Sequence, residues 1–169
     1  ALLISTSAGS WRYLIGDTVR FVDKERCEIV ITGRTKHFLS LVGEHLSVDN
    51  MNKAIQLASE KMNISIPEFT VAGVPYESFF AHHWYVACDD KVDKTQLLQL
   101  IDGTLKELND DYAVERKSAL KEIRLSVLKE DDFMNFMLSK GKVGGQHKFP
   151  RVLKGTMLND WYQFLEKNK

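Results

Sequence analysis

Little in this sequence points outward. Two cysteines, Cys27 and Cys88, are too few and too far apart for a disulfide framework or a ligand set, so a reducing compartment, the cytoplasm, is expected. Net charge is missing as well: 23 Lys and Arg offset 23 Asp and Glu. That balance removes the electrostatic reason to expect nucleic acid or an anionic membrane as partner. No stretch approaches the roughly 20 apolar residues of a membrane helix, and the N-terminus has no basic region or signal sequence. There is no internal repeat and no low-complexity segment. The three prolines, Pro67, Pro75 and Pro150, fall where periodic segments end or turn. What is present is the material of a core: of 169 residues, 44% are hydrophobic and 27% charged, enough for one folded domain with a short appendage. The chain opens at Ala1, without Met and inside the apolar run Leu2-Leu3-Ile4, so we expect a piece of a longer polypeptide.

Residues 2–5, 11–15, 18–23 and 28–32 are short β-forming runs separated by turn residues. A further small hairpin is expected over 38–46, around Gly43. The period then changes. Val48, Met51, Ala54, Ile55, Ala58 and Met62 recur at helical spacing behind Ser47, a good N-cap. Two strands are expected at 68–74 and 79–87, a helix at 94–108, a short helical piece at 112–118 and a core strand around Ile123, Leu125 and Val127. Amphipathic helices should cover 131–139 and 156–168, with a mobile, Gly-bearing loop at 140–150. The expected class is α+β: a split βαβ (βαββαβ) sheet over about 44–128 with helices on one face, an N-terminal β appendage and C-terminal helices.

Four polar features stand out. Gly33-Arg-Thr-Lys36 follows a β-rich run; Arg34 carries a planar fork suited to ribose or phosphate oxygens, though a solvated strand connection would read the same way. Asp17, after Gly16, is either an ordinary turn aspartate or an acceptor for both hydroxyls of a ribose. Lys148 and Arg151 stand beyond the pair Gly144-Gly145, as a solvated basic loop or as a lysine delivered to developing negative charge. His82 and His83 are adjacent on a strand and therefore face opposite ways, which suits structure better than shared metal ligation. Ser5-Thr-Ser-Ala-Gly-Ser10 opens no helix and precedes no lysine, so a hairpin turn is expected there instead of a phosphate loop. A stand-alone ligand- or RNA-binding module remains the alternative, because strand 81–87 carries aromatics on which bases could stack.

Together, Arg12-Tyr-Leu-Ile-Gly-Asp17, Gly33-Arg-Thr-Lys36, Gly43-Glu-His45 and Gln146-His-Lys-Phe-Pro-Arg151 resemble the C-terminal portion of the acyl acid–amido synthetases. This is the auxin-responsive family, which includes the indole-3-acetic acid amido synthetases and belongs to the adenylate-forming superfamily; the bacterial branch is the most similar. The resemblance implies a ligase using ATP with Mg2+, which activates a small carboxylic acid as acyl-adenylate and passes it to an amino acid's amine. It implies that 1–32 are the last strands of an N-terminal adenylation domain absent here, 33–43 a hinge and 44–169 a lid. By the same resemblance Asp17, Arg34 and Tyr13 are nucleotide-binding, Lys36 is the hinge residue and Lys148 the catalytic lysine. One departure is plain: the superfamily usually has Gly directly before that lysine, where this chain has His147. No nucleotide is expected to stay on this portion alone, and no nucleic acid or membrane is expected as partner.

Overall fold

The computed structural model describes residues 2–34, 38–142 and 148–168, leaving aside the side chains of Arg34 and Phe38. The N-terminal run folds as two β ribbons. In the first, β1 (Leu3–Ile4) pairs antiparallel with β2 (Tyr13–Leu14). The stretch between them closes as a turn through Thr6 and Gly9, as expected for a hairpin. In the second, β3 (Asp17–Asp23) pairs with β4 (Glu28–Arg34). Their turn is set by Asp23, whose Oδ1 accepts from the N–H of Glu25 and Arg26 at 2.9 and 3.0 Å. Exposed Cys27 sits in that turn, while the second thiol, Cys88, is buried.

A third ribbon, β5 (Phe38–Leu39) with β6 (Leu46–Ser47), leads into α1 (Val48–Met62). Ser47 caps this helix reciprocally: its Oγ accepts from Asn50 N–H at 3.1 Å, and Asn50 Oδ1 takes the Ser47 N–H at 3.2 Å. The hairpin β7 (Phe69–Tyr76) and β8 (Phe79–Ala87) follows, then α2 (Lys94–Leu108). Asn109 ends α2 and also begins α3 (Asp110–Glu115), accepting from Tyr112 N–H at 2.8 Å. The chain closes with β9 (Leu120–Leu128), α4 (Glu130–Ser139), β10 (Val152–Leu153) and α5 (Gly155–Lys167).

The main sheet has the order β10-β7-β8-β9, with β7 and β8 antiparallel and both outer pairings parallel. Because successive strand residues face opposite ways, the sheet feeds two cores. Phe69, Val71, Trp84, Val86 and Ile123 pack under α1, α2 and α3, with Leu97, Ile101 and Leu105 opposite them. Ala72, Val74, Ala81, Tyr85 and Ala87 pack under α4 and α5, against Phe133, Phe136 and Trp161.

The α+β class holds, and so does the order β6-α1-β7-β8-α2-β9 along the chain, with α1 and α2 on one face. The outer place beside β7 belongs to β10, which the sequence pattern did not suggest. The first strand of the plan, β6, hydrogen-bonds to β5 outside the main sheet, because Leu39 and Leu46 bury themselves in the core under α1 and α2. Among the described residues no helix is long and apolar enough to cross a membrane.

Candidate functional site

The register of the second ribbon decides where the expected nucleotide-side residues meet. Asp17 stands opposite Arg34, the first residue of β3 against the last of β4. The next pair is Thr18 with Gly33, and Thr32 Oγ1 donates to Thr18 Oγ1 at 3.1 Å. Leu2 N–H donates to the Asp17 carbonyl at 2.8 Å, tying the first ribbon to the second. Tyr13, on β2, is 61% exposed. Asp17 and Arg34 are thus brought together from 17 positions apart, with Tyr13 on the adjoining ribbon. Lys36 lies outside the described residues, as do Gly144, Gly145 and His147.

Lys148 stands elsewhere. It is exposed at the rim of a cleft of about 420 Å³ that α4 shares with Pro67 and Glu68, and among the described residues none of those lining it comes from β1 to β4. The residues after it are pinned. Phe149 is buried edge-on against Phe133 and Trp161 at 4.9 and 5.2 Å. The Pro150 carbonyl accepts from Thr70 Oγ1 at 2.7 Å. Arg151 donates to Glu68 and to the Phe69 carbonyl, and its guanidinium lies 4.2 Å from the Phe69 ring centre. At the other end, Gly141 and Lys142 N–H groups reach back to the carbonyls of Leu138 and Met137. The expected mobile loop of 140–150 is therefore corrected at both ends, where hydrogen bonds and ring packing fix 140–142 and 149–150. Arg151 is a structural cation, sequestered by Glu68 and Phe69.

Two further polar clusters flank the sheet, one on each face, as the adjacent histidines require. On the α1–α3 face, His82 Nε2 donates to Glu44 Oε1 at 2.9 Å, both side chains being fully buried. Burial alone would raise the Glu44 carboxyl, but hydrogen bonds from His82, Val42 and Leu41 overcome it and hold the group down to about 2. On the opposite face, His83 bonds Ser126 Oγ at 2.8 Å and Tyr85 Oη at 3.0 Å. Burial, reinforced by Arg124, pushes this imidazole down to about 4, against a weaker opposing pull from Glu122. Glu44 stood inside one of the sequence motifs, yet its role was hidden because its partner lies 38 positions away. The aromatics of strand 81–87 are not open to unstacked bases: Trp84 and Tyr85 are 0% and 2% exposed, which removes the basis of the RNA-binding alternative.

Residues 49–156 match the model of the GH3 family C-terminal domain. Among solved structures, the chain is similar to one described as GH3.15 acyl acid amido synthetase, with TM-score 0.75 and 22% identity over 98% of this chain and 33% of that one. It is also similar to AtGH3.15 acyl acid amido synthetase in complex with 2,4-DB, with TM-score 0.75 and 24% identity over 98% of this chain and 32% of that one. At these identities the likeness is one of fold, and this chain spans about a third of the synthetases it matches. No curated protein matches the sequence.

Proposed function

The chain belongs to the GH3 family C-terminal domain, and from that premise we propose that it is the lid of an ATP-dependent acyl acid amido synthetase. The whole enzyme would activate a small carboxylic acid as acyl-adenylate, release pyrophosphate, and transfer the acyl group to an amino acid's amine, with AMP leaving as the mixed anhydride breaks. Residues 1–32 would be the last strands of the N-terminal adenylation domain, 33–43 the hinge and 44–169 the lid. The reading extends to the auxin-responsive branch of such ligases and to the cytoplasm, where the free thiol of Cys27 is at home.

The observation that carries this reading is the facing pair Asp17 and Arg34 on ribbons whose apolar side chains lie open. Among the described residues, ten of the fourteen exposed large hydrophobics, Trp11 and Ile31 foremost at 81% and 70%, fall within residues 2–34. Two-stranded ribbons are marginal in water, so these suit the surface of a larger body. In this arrangement Asp17 would accept the ribose hydroxyls, Arg34 would meet ribose or phosphate, and Tyr13 would stand on the nucleotide side. Mg2+ would arrive on the ATP phosphates, since the described side chains form no group of three ligands for it. Lys148 would close over the reacting carboxylate and α-phosphate, and the lid would exclude water from the mixed anhydride.

The test uses the complete enzyme. Lys148→Ala should cut ATP–pyrophosphate exchange by about 10²–10³-fold, the usual loss for one preorganised electrostatic donor, and spare aminolysis of preformed acyl-adenylate. Lys36→Pro, which restricts backbone rotation, should instead slow passage between the steps. Equal slowing of both half-reactions by Lys148→Ala, or of neither, refutes its assignment.

A further inference from the structure

Loop 40–44 comes directly after the middle of the proposed hinge, and three separate features fasten it to the main sheet. The first is the Glu44 carboxylate. Leu41 N–H reaches both its oxygens at 3.0 and 2.9 Å, Val42 N–H reaches Oε2 at 3.0 Å and His82 Nε2 reaches Oε1 at 2.9 Å. A carboxylate only accepts, so the imidazole proton sits on Nε2. The second is a knob in a hole. Leu41 packs so closely on β7 that a Cβ added at Gly73 would come within 2.4 Å of Leu41 Cδ1. The third is the pair Leu39 and Leu46, one on each side of the loop, both buried under α1 and α2.

His82 is itself held from behind. Its ring stacks on Tyr112 of α3 with centroids 5.9 Å apart. Tyr112 Oη donates to Asp102 Oδ1 at 2.9 Å, and the same oxygen takes Arg116 Nε at 2.9 Å. The Glu44 carboxylate therefore connects the loop to β8, and the His82 ring connects β8 to Tyr112 of α3 and through it to Asp102 of α2. Apolar contacts alone would bury this loop equally well. Burying a charge, which is costly without partners, adds direction: only one loop geometry satisfies all its donors.

We propose that Glu44 is a positioning residue which, through His82, makes loop 40–44 part of the rigid body of the sheet, so that this loop turns with the lid and takes no part in the hinge. The last clause rests on the lid reading above. Hinges that act through few residues give defined end states, whereas a longer free segment would let the lid wander.

Two measurements separate the anchoring from the lid reading. In this chain, amide exchange followed by NMR should find Leu41 and Val42 N–H protected. Glu44→Gln keeps the shape but turns an NH2 toward one of the converging N–H donors whichever way it lies, so those two amides should exchange at least about tenfold faster. Amides of Trp84 and Val86 serve as unchanged references. His82→Phe removes the link from the carboxylate to the sheet while keeping a ring against Tyr112, and carries the same test should Glu44→Gln fail to fold. Unchanged protection in the folded variant overturns the proposal. In the complete enzyme, the ratio of pyrophosphate exchange to single-turnover amide formation should shift by about tenfold in Glu44→Gln, with KM for ATP constant. A simple loss of folded enzyme lowers both rates by one factor, and that outcome, or an unchanged ratio, overturns the positioning role. Wild-type enzyme without pyrophosphate exchange would refute the ligase reading and leave the amide result to decide the anchor.

Discussion

His83 and Glu44 respond to acid in different windows, which makes their contributions separable. The folded value of His83 is about 4 against an ordinary 6.5, so the fold favours the neutral ring. Its contribution is complete above about pH 6.5 and falls as the unfolded chain takes up a proton between 6.5 and 4. Glu44, held at about 2 against an ordinary 4.5, contributes above 4.5 and is lost between 4.5 and 2. Urea unfolding of wild type should lose stability between pH 7 and pH 4 from His83, on the order of 1–2 kcal/mol once solvent screening of this half-buried ring is allowed for. His83→Asn should flatten that slope and leave the steeper loss below pH 4.5; an unchanged slope between 7 and 4.5 would contradict this assignment. That the two histidines face opposite ways was legible from the period of a strand. Their partners were not, since Glu44 and Ser126 lie 38 and 43 positions away and only the assembled sheet brings them near.

Among the elements, α5 has the most concentrated task. One ring, Trp161, touches Phe133, Phe136, Phe149 and Phe164 with centroids 4.9 to 5.9 Å apart, and meets Tyr85 of the sheet edge-on at 5.8 Å. Truncation to Ala should cost about 3–5 kcal/mol through lost burial and the cavity left behind, lowering Tm by roughly 10 °C. A calorimetric scan reads this directly, and a shift within error would mean that α5 is not anchored by this ring. Because Phe149 belongs to the same cluster, the variant should also loosen the residue next to Lys148. Element by element, periodicity served well where segments were long: α2 spans 94–108 as read from Leu97, Ile101 and Leu105. It failed for β10, because two residues carry no period and Val152–Leu153 becomes a strand only through pairing with Val71 and Ala72 of β7.

At the scale of the whole molecule, the expected nucleotide residues and the expected catalytic lysine lie on different elements. Asp17, Arg34 and Tyr13 lie on the ribbons and Lys148 at a cleft built by other elements. Calorimetry of this chain with ATP or AMP should therefore find no saturable binding up to about 1 mM, a weak-interaction ceiling of roughly 4 kcal/mol. Micromolar affinity would replace the lid reading with a self-contained nucleotide sensor. That Asp17 and Arg34 belong together was implied by the resemblance alone; their pairing across β3 and β4 follows from a hairpin register that the sequence pattern did not specify. The seating of Lys148 was not legible either, because it depends on Phe149 finding α4 and α5 far along the fold. The unequal setting of the two thiols has a use in this context. Cys88 is enclosed and burial pushes its thiol up, whereas Cys27 stands in the open turn between β3 and β4. A maleimide dye should mark the natural sequence at a single point on the ribbon side, so that one further cysteine on α5 would turn the molecule into a ruler for the distance between the β3–β4 turn and that helix.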